Sequence, residues 1–197
     1  MPTGVALRDV REQLFAAAER ILLRDGPSGL TSRAVTTEAG CAKGVLHKHF
    51  ADFDEFLAQL VHDRARRLEP EAAALRSAAG TGTVVDNVTE ALTAVLGSVA
   101  VAIITLITFR DELRALLRQT WPTGVPLLTD VGAMIGDYLT AERDLGRVAA
   151  DADVPTLVGM LLGSSHLLFA DRGGPAPSPD AVRLMAGAVL AGVLPRP

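Results

Sequence analysis

The side chains best suited to chemistry lie together on one short predicted helix in the first third of the chain. Both lysines of the protein, Lys43 and Lys48, fall on this helix, and Val45, His47 and His49 are expected to face solvent beside them. Cationic and imidazole groups on a narrow helix can contact phosphates, while neighbouring side chains reach base edges in the major groove. The pattern predicts an interface for double-stranded DNA.

The preceding residues supply the element that would position this helix. The segment Thr31–Ala39 opens with Thr31 and Ser32, whose hydroxyl groups can accept hydrogen bonds from the free N–H groups of a first helical turn. Gly40 follows, and glycine adopts positive φ at little cost, so the chain can turn sharply there. Two short helices joined in this way form a helix-turn-helix pattern. The side chains expected to face inward are Val35, Ala39, Leu46 and Phe50.

The remaining sequence predicts an all-α protein. Apolar residues make up 49% of the 197 residues and aromatic residues only 4%, which suits helices packed through Ala, Leu and Val. Alternating strand patterns are lacking, whereas apolar residues recur at three- and four-residue spacing. We predict a first helix ending at Gly26-Pro27, one starting near Asp52, and later helices at Val84–Phe109, Asp111–Gln119, Val125–Arg143, Val154–Ala170 and Pro179–Val193.

The stretch Ala91–Phe109 contains 19 residues without a charge. This length is close to the ~20 apolar residues that span a bilayer, so the alternatives are a membrane span and a long buried helix. Polar and small residues such as Thr93 and Gly97 dilute the run, and Arg110 ends it without a cluster of positive charge. We predict a buried helix of the core.

Charge is distributed unevenly along the chain. The net charge is −4, but residues 1–67 hold 10 Lys/Arg against 9 Asp/Glu, whereas residues 68–197 hold 9 against 14. This distribution argues against a uniformly basic nucleic-acid binder and leaves room for an N-terminal site that binds anions. The single cysteine, Cys41, excludes a disulfide framework, and the N-terminus lacks the apolar segment of a signal peptide. We expect a cytoplasmic location.

A set of motifs extends over about residues 8–62. They are Gly26, Leu30-Thr31, Glu38-Ala39-Gly40, Lys43-Gly44, Leu46, and His49-Phe50 followed by Asp54-Glu55-Phe56-Leu57. In this order they resemble the DNA-binding head of the TetR family of transcriptional regulators. The resemblance implies an N-terminal three-helix helix-turn-helix head, residues 1–52, and a C-terminal helical-bundle domain for ligand binding and dimerisation, residues 53–197.

The resemblance also implies which residues touch DNA. Lys43 and Lys48 are expected to contact phosphate or guanine. Val45 would meet a thymine methyl group, and His47 a phosphate. The complete expected set is Thr31, Ser32, Arg33, Lys43, Gly44, Val45, His47 and Lys48.

The chain departs from the family pattern at several positions in the head. Thr36 stands where a small Ala is usual, and His47 where a Tyr usually contacts phosphate. Ala42 stands in place of the Ser that commonly caps the recognition helix, and Phe53 in place of a Lys directed at phosphate. Since these changes remove contacts, the alternative is a helical ligand-binding or interaction protein that has lost sequence-specific DNA binding.

The resemblance implies that the C-terminal body encloses a pocket and that its last two helices pair two subunits. A mostly apolar pocket would suit a small hydrophobic effector, and a homodimer would match a palindromic operator. The expected function is a one-component regulator, a repressor released from its operator by the effector. Candidate pocket residues are Thr105, Thr108, Trp121, Met134, Tyr138 and His166. Candidate dimer residues, with packing inside one chain as the alternative, are Leu157, Met160, Leu161, Ser164, Leu168, Val182, Met185 and Val189.

Enzyme chemistry is not indicated by the sequence. Ser165 and His166 suggest a nucleophile beside a base, but adjacent residues on a helix point to different faces, and the strand of a nucleophile elbow is lacking. The sequence also lacks a phosphate-binding loop, a Rossmann fingerprint and His, Asp or Glu residues at metal-ligand spacing. We expect no catalytic residues, no metal and no cofactor.

Overall fold

The computed structural model describes residues 4–97, 99–170 and 176–195, with side chains from residue 10 onward. Within these ranges every regular element is an α-helix, which confirms the predicted fold class. The helices are α1 Gly4–Gly29, α2 Ser32–Glu38, α3 Val45–His49, α4 Phe53–Arg66, α5 Glu69–Ser77, α6 Val84–Leu96, α7 Ala100–Thr108, α8 Asp111–Leu117, α9 Leu128–Asp144, α10 Val154–Phe169 and α11 Pro179–Leu190.

Contacts divide the chain into two compact units, one of residues 1–64 and 102–126 and the other of residues 65–101 and 127–197. We call α1 to α4 of the first unit the head, and the second unit the body. By contacts, α4 and the segment 102–126 belong with the head helices. The functional boundary after residue 52 stays a prediction.

The head is built around four of the six phenylalanines of the chain. The ring centroids of Phe15, Phe50 and Phe56 lie between 5.1 and 5.9 Å apart, and Phe53 stacks on Phe56 at 5.6 Å. The Arg11 guanidinium lies 4.5 Å from the centre of the Phe50 ring. Aromatic rings contribute large buried areas and favourable edge contacts, so this cluster holds α1 against the end of α3 and the start of α4.

The body is held together by a buried polar network. Tyr138 donates its hydroxyl proton to Oε1 of Glu142 at 2.6 Å and accepts from Nδ2 of Asn87 at 2.9 Å. Asn87 also donates to the carbonyl oxygen of Thr81 at 2.9 Å, and Nε of Arg147 lies 3.3 Å from Oε2 of Glu142. Because Glu142 has no exposed surface, these partners compensate the burial of its charge and tie the α5–α6 loop to α9.

The prediction of one continuous helix over Val84–Phe109 is wrong. Helix α6 ends at Leu96 and α7 begins at Ala100. A Cβ atom on Gly97 would lie 2.5 Å from the carbonyl oxygen of Thr93, so the backbone at the end of α6 depends on glycine. Apolar periodicity continues through this break and therefore does not reveal it.

Two further boundaries also differ from expectation. The second helix of the turn motif begins at Val45 and not near Ala42. The chain after Asp52 forms two helices, α4 and α5, because it is interrupted between Arg66 and Glu69. Both differences concern helix ends, where periodicity carries the least information.

Most of the described residues of the uncharged stretch are buried, as predicted for the core. Ile103 and Ile107 of α7 have no exposed surface. Among the described residues no single helix is long and apolar enough to cross a membrane, and α6 and α7 reach that length and composition only when taken together.

Candidate nucleic-acid interface

The turn between α2 and α3 is defined by glycine, as the sequence predicts. Gly40 has a φ of 66°, in the left-handed region that glycine adopts readily. The N–H of Cys41 donates to the carbonyl oxygen of Thr36 at 2.9 Å, and that of Gly40 to Thr37 at 3.1 Å. This pair of bonds is a Schellman motif, which satisfies the last carbonyl groups of α2 and redirects the chain toward α3.

The two helices of the motif are capped differently. The hydroxyl of Thr31 accepts from the N–H of Ala34 at 3.1 Å, which confirms the predicted cap of α2. Helix α3 has no hydrogen bond from a side chain at its cap, because the cap is Gly44 and not Ala42, the position of the usual capping Ser. Buried Thr36 donates to the carbonyl oxygen of Ser32 at 3.0 Å, so this departure from the family pattern leaves no unsatisfied hydroxyl.

Buried residues anchor α3 and decide which side chains it exposes. Leu46 has no exposed surface and Phe50 has 3%, while Val35 of α2 has none. Lys43, which precedes α3 in the turn, is therefore left at the surface together with the outward positions of α3. Cys41 is half-buried, and its Sγ lies 3.6 Å from the carbonyl oxygen of Ala39.

Most of the predicted DNA-binding residues lie together. A shallow depression of about 520 Å³ is lined by Ser32, Arg33, Lys43, Gly44 and His47. A second depression of about 600 Å³ shares Arg33 and adds Thr31. Lys48 is exposed and Val45 is half-buried on the same short helix. The structure thus brings α2 and α3 residues into one surface, and their contact with DNA stays a prediction.

The charges around this surface are unevenly neutralised. Within the described part of the chain, Arg33, Lys43 and Lys48 form no ion pair or side-chain hydrogen bond. The carboxylate of Glu38, at the end of α2, is paired with Arg20 at 2.8 Å and with Arg24 at 3.0 Å, and both arginines hold the pKa of Glu38 below its usual value. The acid of α2 is therefore neutralised by α1, while the cations of α2 and the turn remain available for an anion.

The six candidate pocket residues are divided between the two units, and their grouping into one pocket stays a prediction. Thr108 donates its hydroxyl proton to the carbonyl oxygen of Ile104 at 2.8 Å, and the ring of Trp121 lies 4.9 Å from that of His62. Tyr138 is occupied by the buried network described above. Thr105, Thr108 and Trp121 belong to the first unit, and Met134, Tyr138 and His166 to the body.

The body contains a cavity that the sequence did not indicate. It measures about 310 Å³, lies between α5 and α6, and its polar lining consists of Glu71, Asn87 and Glu90. Acidic residues on an amphipathic helix are typical of its solvent-exposed face, so their pattern alone does not indicate a cavity. The alanines at positions 74, 78, 91 and 94 also line it, and such small residues on two packed helices were the available sign of unfilled space.

Three of the candidate dimer residues have little or no exposed surface, and the pairing of subunits through α10 and α11 stays a prediction. Leu161 and Val182 have no exposed surface and Leu157 has 7%, because these side chains pack within the body. The exposed apolar side chains on the same two helices are Met160 at 50%, Leu167 at 77% and Leu184 at 78%. The remaining candidates, Ser164, Leu168, Met185 and Val189, are half-buried.

Comparisons with known proteins agree with this architecture. No family model matches the chain. A stretch of 57 residues is 35% identical to an uncharacterized HTH-type transcriptional regulator of Haemophilus influenzae, covering 29% of this chain and only 30% of that protein's length.

Solved structures match nearly the whole chain. A protein of Saccharomonospora viridis, described as a transcriptional regulator and crystallised with choline, has a TM-score of 0.71 at 15% identity, covering 96% of this chain and 100% of its own. A Mesorhizobium loti protein assigned to the TetR family gives 0.70 at 16%, covering 94% and 95%. A TetR-family protein of a Rhodococcus species gives 0.69 at 19%, covering 94% and 98%.

The fold and the site together define an all-helical protein with an N-terminal helix-turn-helix. More narrowly, the chain has the fold of TetR-family transcriptional regulators. The resemblance seen in the sequence is confirmed for the fold.

Proposed function

We propose that this protein is a one-component DNA-binding transcriptional regulator. The observation that carries the proposal is the surface formed by α2, the turn and α3, where Arg33, Lys43 and Lys48 are exposed and unpaired within the described residues. Cations without intramolecular partners can neutralise phosphates and release counterions. The fold shared with TetR-family proteins supports this reading.

The proposal extends to the mode of action. The protein acts as a repressor of a palindromic operator, and a small effector bound in the body favours a conformation with lower DNA affinity. The effect of such a ligand equals its differential affinity for the two conformations. The choline complex of the Saccharomonospora viridis protein supports an effector role, since it shows a small organic molecule held by a chain of this fold.

Selection of binding sites from randomised duplex DNA, followed by anisotropy titration, tests the proposal. We expect an enriched palindrome that binds far more tightly than its scrambled version. Lys43→Ala and Lys48→Ala should weaken binding, and a lysine that touches only phosphate should lower the salt slope by about one. Arg118→Ala, which removes an exposed cation from the end of α8, is the matched control and should leave the affinity unchanged.

The outcome separates the regulator from the alternative function. Absence of enrichment with ligand-stripped protein would mean that the head does not read sequence, leaving the helical ligand-binding protein as the better description. Enrichment with unchanged affinity in both lysine variants would mean that a surface other than α3 binds the operator.

We also propose that a second copy of the chain covers the exposed apolar side chains of α10 and α11. Leu167 and Leu184 are more than three-quarters exposed on two helices that pack against each other, and exposed apolar patches mark association sites. A two-fold contact through these helices would supply two heads for the two halves of a palindrome.

Sedimentation of charged variants tests this pairing. Leu167→Arg and Leu184→Arg should give monomers, because a buried arginine without a partner opposes association. Leu145→Arg introduces the same charge at another exposed leucine of the body and should remain dimeric. A wild-type monomer at micromolar concentration would refute the pairing.

A further inference from the structure

Helix α3 is joined to α4 by Phe50, Ala51 and Asp52, and the contacts of this link bear on the direction of α3. Helix α3 has five residues and no side-chain hydrogen bond at its cap. A helix of this length is not stable by itself, so its direction depends on contacts with the rest of the head. Leu46 and Phe50 are buried and anchor it. Apolar contacts are not directional, so these anchors hold α3 in place without fixing its tilt.

A hydrogen-bonded network of three side chains closes around this link. The Arg11 guanidinium donates to the carbonyl oxygen of His49 at 3.3 Å and also donates to Oε1 of Gln59. Nε2 of Gln59 donates to Oε1 of Glu55 at 3.0 Å, and Oε2 of Glu55 accepts from the N–H of Ala51 at 2.5 Å. We call Arg11, Gln59 and Glu55 the linker network.

The linker network connects the end of α3 to two other helices. The carbonyl group of His49 lies in the last turn of α3, where a helix offers its carbonyl groups no internal partner, and Arg11 of α1 supplies one. The same guanidinium lies 4.5 Å from the centre of the Phe50 ring and reaches α4 through Gln59. Because hydrogen bonds weaken steeply away from linear geometry, these contacts fix the tilt that the apolar anchors leave open.

The linker network is separate from the proposed DNA-binding surface. The described residues that line the two depressions of that surface do not include Arg11, Gln59 or Glu55. His47 and Lys48 lie on α3 and change position with it. Phosphate contacts act through charge and tolerate a small displacement, whereas base contacts specify the sequence and require side chains placed within about 0.5 Å. A change in the tilt of α3 would therefore affect sequence recognition more than binding to DNA in general.

We propose that Arg11 is a positioning residue for sequence recognition. Together with Gln59 and Glu55 it holds α3 at the angle at which its side chains meet the bases of the operator. Loss of the linker network lowers the affinity for the operator and leaves the affinity for unrelated DNA unchanged. This inference rests on the proposed function, since the angle of α3 matters to recognition only if α3 binds DNA.

Gln59→Leu tests the inference without changing the charge of the head. Anisotropy titration should show operator binding weakened by about tenfold, the order of effect of one lost base contact, while the affinity for a scrambled duplex and the salt slope stay as in the wild type. Gln119→Leu makes the same change at an exposed position after α8 and should keep the full specificity. Arg11→Met combined with Gln59→Leu should lose less affinity than the product of the two single losses, because both residues belong to one network.

Amide hydrogen exchange followed by mass spectrometry tests the network without DNA. Gln59→Leu should lower the protection of residues 45–50 and leave that of α2 unchanged. Far-ultraviolet circular dichroism shows whether each variant is folded, and Gln59→Met, which keeps an unbranched side chain, takes the place of a leucine variant that is not.

Three results would overturn the positioning role alone. They are unchanged exchange in α3, an operator affinity of Gln59→Leu equal to that of Gln119→Leu, and equal losses of affinity for operator and scrambled DNA. Absence of any operator, with faster exchange in Gln59→Leu, would overturn the proposed function and with it the role of Arg11 in recognition.

Discussion

The head and the body both bury mainly aliphatic side chains, but they differ in the buried groups that accompany them. In the head, the rings of Phe15, Phe50 and Phe56 pack within 5.9 Å of one another. In the body, Glu142 and Tyr138 are completely buried. Among the side chains described, Glu142 is the only charged one that is buried. The head thus adds contacts between rings, which need no particular partner atoms, and the body adds a polar network, in which a hydroxyl or carboxylate requires one.

The two regions also contain charged groups without intramolecular partners, exposed in the head at Lys43 and Lys48 and buried in the body at Glu71. The head pairs its acid Glu38 with two arginines and leaves Lys43 and Lys48 free. The body leaves an oxygen of Glu71 buried and unsatisfied. The exposed lysines of the head are thus available to an anion, whereas the buried Glu71 oxygen of the body is closed to solvent.

The largest effect expected from this comparison is the loss of a ring in the head. Phe56→Ala removes a fully buried side chain that contacts three other rings, and should lower the free energy of unfolding by about 3–5 kcal/mol. Urea denaturation followed by circular dichroism measures it. Phe109→Ala is the control, because Phe109 is 83% exposed and its removal should change stability by no more than about 0.5 kcal/mol. Equal effects would show that the aromatic cluster does not support the fold.

The same comparison explains which features were predictable. The cap at Thr31 and the positive φ of Gly40 depend on the chemistry of a few consecutive residues, and both were predicted correctly. The contact of Asn87 with Tyr138 joins residues 51 positions apart, and no local pattern encodes it. Apolar periodicity indicates that Leu161 faces away from solvent but not whether its own chain or a second copy covers it. Local geometry was therefore accessible from the sequence, and pairing between distant helices was not.

A smaller effect is expected from the network of the body. Tyr138→Phe keeps the ring but removes the hydroxyl that joins Asn87 to Glu142, so the buried carboxylate of Glu142 loses a hydrogen bond. The free energy of unfolding should fall by about 1–3 kcal/mol. Chemical denaturation at pH 7 measures the loss, and a double variant with Asn87→Ala should lose less than the sum of the single variants because the two residues share one network.

The pH dependence of the body has a defined sign. Burial, followed by the hydrogen bond to Glu142, raises the pKa of Tyr138 above its ordinary value of 10.0. A raised folded-state pKa contributes stability that is present below pH 10 and is lost as pH rises through the folded value, since the unfolded chain then releases the proton first. The chain has a single tyrosine, so tyrosinate absorbance reports this group alone. It should appear near pH 10 in urea but only at higher pH in the folded protein, and its appearance at the same pH in both would contradict the burial.

The smallest effect concerns the turn of the head, where backbone geometry and not packing is decisive. A Cβ atom at Gly40 would meet nothing within 4 Å, so Gly40→Ala should be destabilising only through its φ of 66°, by about 1–2 kcal/mol. Gly44→Ala is a matched control just before α3. Gly44 also has open space for a Cβ atom, but its φ is −86°. It should be neutral or slightly stabilising because alanine restricts the unfolded chain.

A Gly40→Asn variant separates two possible causes of instability at this turn, the positive φ and a lack of space for a side chain. Because asparagine tolerates the left-handed region better than alanine, Gly40→Asn should recover part of the stability lost in Gly40→Ala although its side chain is larger. The urea midpoints of the three variants give the comparison directly. An asparagine variant less stable than the alanine variant would mean that space, and not φ, limits this position, and the head would then depend on close packing at its turn as well as in its aromatic core.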